Sequence, residues 1–542
     1  MCKNYYAGFI LKHTPKVITQ IDRDEDSLTF GSCDRNYWHL KTRDFSSAIL
    51  QQTSLTLALL YKLDFAGNIY FANEAVKEWA IGALEFWKGI QLTDGAFNEY
   101  YPNEHGFPPT AFTLFSSVET FKELGLNDIQ LLKAMAKTAN FLISNIEPFA
   151  YNQEIASIAA LYSYYTICGE EKLLAGIERK LTRVLTDQTE EGWFPEYGGA
   201  DFGYLSVSMD MLGEYYRLSK DQRVLPALEK AVCFIKYFCH PDGTIGGEYG
   251  SRNTMYFLPY GIEFLCSLGN SDALAVREQV FANSHRNDYF QDSVDDRYFT
   301  HYFLHSFLRA LRLNIQTKDR LKSTGSCHLP CFTKHKRMFP EAGLLTVSNE
   351  KYYCVIGAKK GGSIKVFNNR KEVFADFGFR IPVNKREIAV TNWLDQATSV
   401  EIYENQIEIK GQFTVIKQQV SSPLKHLILR MIALILGKSI IHNLKKRLIF
   451  INKRIPVNYT RSIYFGEDNV VLKDQITSEN SINTLKPANS LSMRHVASGK
   501  FFKKTELIQK ETLCLNNIKR IFVKQVFNLD TGQYDVFTEV EK

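Results

Sequence analysis

The sequence predicts two unlike halves, an array of helical hairpins followed by an antiparallel β-sandwich, and two observations carry that expectation. The first is a loop signature that returns roughly every fifty residues through the first half. It reads Asp94-Gly95-Ala96-Phe97-Asn98-Glu99-Tyr100, then Glu191-Gly192-Trp193-Phe194-Pro195-Glu196-Tyr197, then Asp242-Gly243-Thr244-Ile245 leading to Glu248-Tyr249, with a degenerate copy from Glu147 to Gln153. Self-similarity at a fixed period means stacked supersecondary units. The second is a change of hydrophobic period, helical before about residue 313 and alternating after about residue 338.

Residues 1–45 read as a mixed lead-in, with a run of polar aromatics from Cys33 to His39. The helical region spans 46–313. Helix-period stretches at 72–89, 127–145, 171–186 and 221–240 precede the signature loops, and others at 110–124, 154–166, 204–218 and 254–267 follow them. Each unit is therefore a hairpin whose Gly supplies the turn and whose acid and aromatics sit at its mouth. Because every loop joins the pair in the same sense, the loops should collect at one end. Residues 314–337, with Gly325, Pro330 and several Lys, read as a linker. From 338 to 542 short alternating runs such as Tyr352-Tyr353-Cys354-Val355-Ile356 and Arg520-Ile521-Phe522-Val523 predict strands of an antiparallel sandwich.

A chain of 542 residues exceeds the needs of one core. Its ten cysteines are scattered, several within helical patterns, which suits reduced thiols better than a disulfide framework. The first residues lack an apolar h-region and a small-residue cleavage site, so no secretory signal is expected and a cytoplasmic protein is. Net charge is +6, but from Ile409 to Gly466 there are eleven Lys or Arg and no Asp or Glu, leaving the rest of the chain net acidic. This insert, at about 423–456, centres on Leu427-Ile428-Leu429-Arg430-Met431-Ile432-Ala433-Leu434-Ile435-Leu436, followed by Lys438, Lys445, Lys446, Arg447, Lys453 and Arg454. It is too short to span a bilayer. It reads either as an interfacial helix that sets 425–454 against an anionic membrane surface on the inner face, or as a buried helix with a solvated basic flank. Nucleic acid is not an expected partner, because the cations interleave with aliphatics and not with rings that stack on bases.

Three patches carry a family resemblance: Glu196-Tyr197-Gly198-Gly199-Ala200-Asp201, Phe339-Pro340-Glu341-Ala342-Gly343-Leu344, and Lys359-Lys360-Gly361-Gly362 through Phe374-Ala375-Asp376-Phe377-Gly378. With the helix-then-strand layout they resemble the heparinase II/III-like polysaccharide lyases and related uronyl epimerases. The resemblance implies an incomplete (α/α) toroid before the β-sandwich, and a polysaccharide or oligosaccharide, uronate-containing, as substrate. Where the family carries a histidine-rich element after the glycine turn, this chain reads Ser363-Ile364-Lys365-Val366-Phe367-Asn368-Asn369, without histidine. On the toroid side, Asn152 with Gln153 resembles the region that binds the substrate carboxylate. Tyr204 and Tyr249 are candidates for the proton-exchanging tyrosine, and His105 or His301 for its partner.

The chemistry can be stated from the residues. Removing the proton beside a uronate carboxylate requires that carboxylate to be neutralised and a base on one face of the ring. Asn152, Gln153, Arg252 and Asn253 can supply donors. Asp94, Glu99, Trp193, Glu196, Tyr197, Asp201 and Glu248, in the recurring loops, are further substrate-binding candidates. The recurring ones can equally serve to close each hairpin. Elimination would make a lyase and return of the proton to the other face an epimerase. Two alternatives remain: an inverting hydrolase using two loop carboxylates, which needs them about 6.5–9.5 Å apart, and a non-catalytic glycan-binding protein of polysaccharide assembly. No cofactor or metal is expected. His301 and His305, four apart, lack the Glu of a His-Glu-x-x-His pair, and Cys327-His328 with Cys331 and His335 lacks a second pair at standard spacing.

Overall fold

The computed structural model describes residues 2–282, 294–317, 329–417, 420–437, 440, 453–488 and 512–541. Twelve helices of eight residues or more build the first half: α1 Cys2–Ile18, α2 Thr53–Lys62, α3 Glu74–Gly89, α4 Phe107–Leu124, α5 Ile129–Ser144, α6 Tyr151–Cys168, α7 Lys172–Thr186, α8 Phe202–Ser219, α9 Val224–Ile235, α10 Tyr260–Ser267, α11 Ser271–Phe281 and α12 Leu304–Gln316. The even-numbered helices form an inner ring, each packed on the next, with α12 returning to α2. The odd-numbered helices lie outside. Inner helices α4, α6 and α8 are buried along most of their length, whereas outer α7 buries one face, Leu173, Gly176, Ile177, Lys180, Leu181 and Val184. The toroid predicted from sequence is present, with α12 packing back on α2. Helix α1, inside the stretch read as a lead-in, packs on α12 and supplies the sixth outer helix.

The connections from each outer helix to the next inner helix lie at one end, together with the inner helices' N-termini, and enclose a crater; most are long, although 145–150 is shorter than the return loop 63–73. The recurring glycine has a packing role beyond its turn. Gly95 (φ +91°) would put a Cβ 2.3 Å from the Lys137 carbonyl oxygen on α5, and Gly192 (φ +103°) one 2.2 Å from that of Lys230 on α9. Each such loop thus seats against the next outer helix. The recurring acid is local as well: Asp94 and Asp242 accept from the backbone N–H of Ala96 and Thr244 at 3.1 and 2.9 Å, closing their own turns.

The second half is the expected antiparallel β domain. Strands β1 His335–Phe339, β2 Leu344–Ser348, β3 Tyr353–Gly357, β4 Ser363–Asn368 and β5 Lys371–Asp376 pair in that order. Strands β6 Phe379–Asn384, β7 Glu387–Val390, β8 Ser399–Tyr403, β9 Gln406–Lys417, β10 Arg454–Phe465, β11 Asn469–Pro487, β12 Leu513–Asn528 and β13 Tyr534–Glu541 make a larger sheet ordered β10-β9-β7-β6-β11-β12-β13, with β8 on β9. Both faces of the first sheet are buried. Cys354 and Ile356 of β3 point to the second sheet, sharing a core with Ile409, Ile463 and Leu472, while Tyr353 and Val355 join the toroid core. Period-2 alternation puts neighbouring residues of one strand into two different cores. A further helix, α13 (Pro423–Leu436), leaves the β domain between β9 and β10 and crosses to the toroid loops.

Candidate active site

The crater wall is built from residues of five loop-and-helix segments. Asn152 and Gln153 sit in the first turn of α6, Tyr197 and Glu196 on the loop before α8, and Tyr204 in the first turn of α8. Arg252 and Tyr256 come from the loop before α10, and Tyr298, His301 and Tyr302 from the approach to α12. Tyr197 has φ +52°, a left-handed conformation costly for an aromatic residue, and its ring lies 4.6 Å under the Arg252 guanidinium. The Tyr256 and Tyr302 hydroxyls are 3.0 Å apart. Tyr256 also meets the Tyr204 ring edge-on at 6.1 Å, and Tyr298 meets His301 at 5.0 Å. His301 breaks the helical path (ψ −129°), so it does not share a helical face with His305. His305 bonds instead to Gln52 and Arg309.

Buried polar atoms of this wall lack partners within the described residues. They are Nδ2 of Asn152, Oε1 of Gln153, Oε1 of Glu196, Nε of Arg252 and Nε2 of His301. Buried polar groups are ordinarily paired, so a cluster of unpaired ones marks a place where a polar ligand completes the set. Burial pushes the Glu196 carboxyl up to about 8, opposed by the neighbouring Asn152 amide and helped by the Asp201 charge. Burial and the Arg297 charge hold His301 well below its usual range, leaving a neutral imidazole with a free nitrogen. Burial also raises the Tyr204 hydroxyl, with Arg252 opposing the shift.

The β domain closes one side. Lys360 donates to the carbonyls of Glu248 and Gly250 at 2.5 and 2.9 Å and to Oδ1 of Asn253. Lys365 pairs with Glu248 at 2.5 Å. Gln396 donates to the Gly198 carbonyl at 2.8 Å. Loops 196–201 and 246–253, which carry Glu196, Tyr197 and Arg252, are thus tied to the second domain.

Two solved structures share this arrangement at TM-score 0.53. One is a Paenibacillus xanthan lyase, 12% identical, matched over 89% of this chain and 46% of that one. The other is the Streptomyces coelicolor A3 chondroitin AC lyase in complex with chondroitin sulphate, 11% identical, matched over 89% and 67%. The chain has the toroid-and-β-domain fold of these polysaccharide lyases. Heparinase III is also similar over 98% of this chain and 86% of its own, at 10% identity and TM-score 0.48. The chain spans under half the length of the xanthan lyase it matches. No family model matches the chain, and no curated protein does.

Within this lyase fold the sequence candidates divide. Asn152, Gln153, Glu196, Tyr197, Tyr204, Arg252 and His301 meet in the crater. The others have partners within the fold. Tyr249 is 3% exposed and its hydroxyl bonds His240 Nε2 at 2.8 Å, so it is not a free proton carrier. His105 lies 2.7 Å from Asp94, beside the C-terminal end of α13 at Gly437. Trp193 is buried and donates to Glu191 at 2.9 Å, and Glu191 accepts the backbone N–H groups of Glu341 and Ala342, clamping the two domains. Asp201 is an N-cap, accepting from Tyr204, Arg252 and Thr254. Glu99 pairs with Arg297 at 2.8 Å, Glu248 with Lys365, and Asn253 with Lys360. Sequence reasoning did not single out Tyr256, Tyr298, Tyr302 or the two lysines. The tyrosines fall outside the recurring loops, and the lysines act across the domain boundary. Among the described residues no cluster of His, Cys, Asp or Glu could hold a metal. Cys327 and His328 lie outside the described residues.

Proposed function

We propose that this protein acts on a uronate-containing polysaccharide by removing the proton next to the carboxylate, with β-elimination following. The observation that carries this reading is the group of buried, unpartnered polar atoms on Asn152, Gln153, Glu196 and Arg252 beside the neutral His301 and the Tyr204 hydroxyl. Asn152 and Arg252 neutralise the carboxylate, and a protonated Glu196 adds a donor that repels no anion. His301 Nε2 takes the C5 proton and the C5–H electrons form the C4–C5 double bond. The C4–O bond breaks, and Tyr204 protonates the departing oxygen. Tyr204 and Tyr298, the partly exposed tyrosines of the wall, offer ring surface to a sugar. The lyase fold of the neighbours, one of them solved with chondroitin sulphate, supports a glycan substrate.

The hydrolase alternative is less well supported. Of the five loop carboxylates, Asp94 is held by His105, Glu99 by Arg297, Asp201 by three backbone N–H groups and Glu248 by Lys365. Only Glu196 keeps a buried oxygen with neither a hydrogen bond nor an ion pair among the described residues. Inverting hydrolysis needs two working carboxyl groups. Incubation with a panel of uronate polysaccharides in D2O, followed near 232 nm and by deuterium incorporation, tests the reading. New absorbance is expected. Deuterium uptake without absorbance replaces elimination by epimerisation, and silence in both overturns the proposal.

A further inference from the structure

Helix α13 faces the wrong way for a helix of an isolated globular protein. Toward the toroid it turns Ala433, 1% exposed, packed with Tyr101 and Ile440. Outward it turns Leu424, Leu427, Ile428, Met431, Leu434 and Ile435, between 48% and 79% exposed. Their spacing of three and four residues is one continuous stripe on a 3.6-residue helix. The more apolar face is therefore the solvent face, an arrangement that marks an interaction surface. The helix is not loosely hung. Arg430 makes a two-pronged pair with Asp44 at 2.6 and 2.9 Å, and Ser422 caps the first turn.

Charge selects the partner. The stripe lies inside the 409–466 segment that holds eleven cations and no acid. Lys410, Arg430, Lys453, Arg454 and Arg461 pair with acids outside that segment, while Lys425 within the helix and Lys438, Lys445, Lys446 and Arg447 after it flank the stripe in sequence. A protein partner would be served by the stripe alone, whereas an apolar stripe within a one-signed basic segment matches acyl chains beneath anionic headgroups. Fourteen residues rise about 21 Å, short of the roughly 30 Å hydrocarbon core, so the helix can lie in the interface but not cross it. No helix among the described residues is long and apolar enough to cross a membrane.

We infer that α13 docks this protein on an anionic lipid bilayer, its outward stripe in the acyl boundary. Because Asp44, Tyr101 and His105, its toroid neighbours, belong to loops of the crater end, the bilayer lies beside the crater rim. The inference is independent of the reaction proposed above. The test is flotation of the full chain with vesicles of phosphatidylcholine alone and with about one-third phosphatidylglycerol, at low and high salt. Wild-type protein is expected to float with the anionic vesicles, less at high salt. The variant carrying Leu427→Ser, Met431→Ser, Leu434→Ser and Ile435→Ser is expected to bind at least about tenfold more weakly. These side chains are solvent-exposed, so its melting temperature should match the wild type, which separates docking from folding. Equal flotation of variant and wild type, or none by either, overturns the inference. A wild-type dimer in solution that the variant dissolves also overturns it, because a second copy then covers the stripe.

Discussion

Two buried polar clusters of the same toroid differ in one respect, and that difference separates folding from function. Between the inner helices, Arg309 pairs with Asp210 at 2.7 Å and Glu214 at 3.0 Å, and Arg217 joins Glu214 at 2.6 Å to Glu119 at 3.2 Å. These cations and anions satisfy one another where water is excluded. At the crater, Asn152, Gln153, Glu196, Arg252 and His301 are as deeply placed, yet each keeps an atom without a partner. The first cluster leaves one such atom, Oδ1 of Asp210, among three carboxylates and two arginines that otherwise satisfy one another. On the proposed reading the second is completed by a ligand, and its unpaired atoms are a stability cost accepted for binding.

Substitutions in the two clusters should therefore move different observables. The largest effect is expected at His301, where His301→Gln should lower kcat roughly 10²–10⁴-fold with little change in melting temperature. A variant retaining full turnover would remove His301 as the base. Next, Arg309→Met strands Asp210 inside the ring and leaves Glu214 with Arg217 alone, and should cost about 3–5 kcal/mol in chemical denaturation. Asn152→Ala, by contrast, should reduce kcat/KM about 10²–10³-fold while leaving stability unchanged or higher. If Asn152→Ala instead unfolds the protein, the two clusters are alike and the contrast fails.

The Glu196 carboxyl sharpens the contrast through pH. Its folded pKa of about 8 lies above the unfolded value near 4.5, so the folded protein holds a proton that the unfolded chain releases. Its contribution is unpenalised below pH 4.5 and becomes increasingly unfavourable as pH rises toward 8. Glu196→Gln removes that dependence, and its melting temperature should gain on the wild type between pH 5 and 9. A constant difference across that range would place the ionised form in the folded protein. The smallest effect is expected at the domain boundary. Lys365→Met removes the cation paired with Glu248 and loosens loop 246–253, raising KM a few-fold and costing about 1–3 kcal/mol.

Much of the architecture was legible in the residues. The recurring loop and the switch of hydrophobic period are local properties, and they gave the helical hairpins, the β domain and the common end at which the loops gather. The same recurrence left roles open between substrate contact and hairpin closure. Asp94, Glu191, Trp193 and Asp242 repeat because every hairpin must close its turn, seat against its neighbour or hold the second domain. The residues the crater leaves unpaired lie mostly at single positions, the first turn of α6, Arg252 and His301, where no period announces them.

Chain periodicity determined what this protein is made of, because helix and strand patterns depend on neighbours three, four or two residues away. The packing of α1 on α12, the pairing of Tyr249 with His240, the lysines of the β domain on the toroid loops and the outward stripe of α13 were decided only by the tertiary structure. Each joins or faces groups that are distant in sequence, and whether a polar atom finds a partner depends on what folding brings within about 3 Å of it. That is why the sequence could name Asn152, Glu196 and Arg252 as candidates, while only the folded chain distinguished them from Asp201, Glu248 and Asn253, whose partners were already in place.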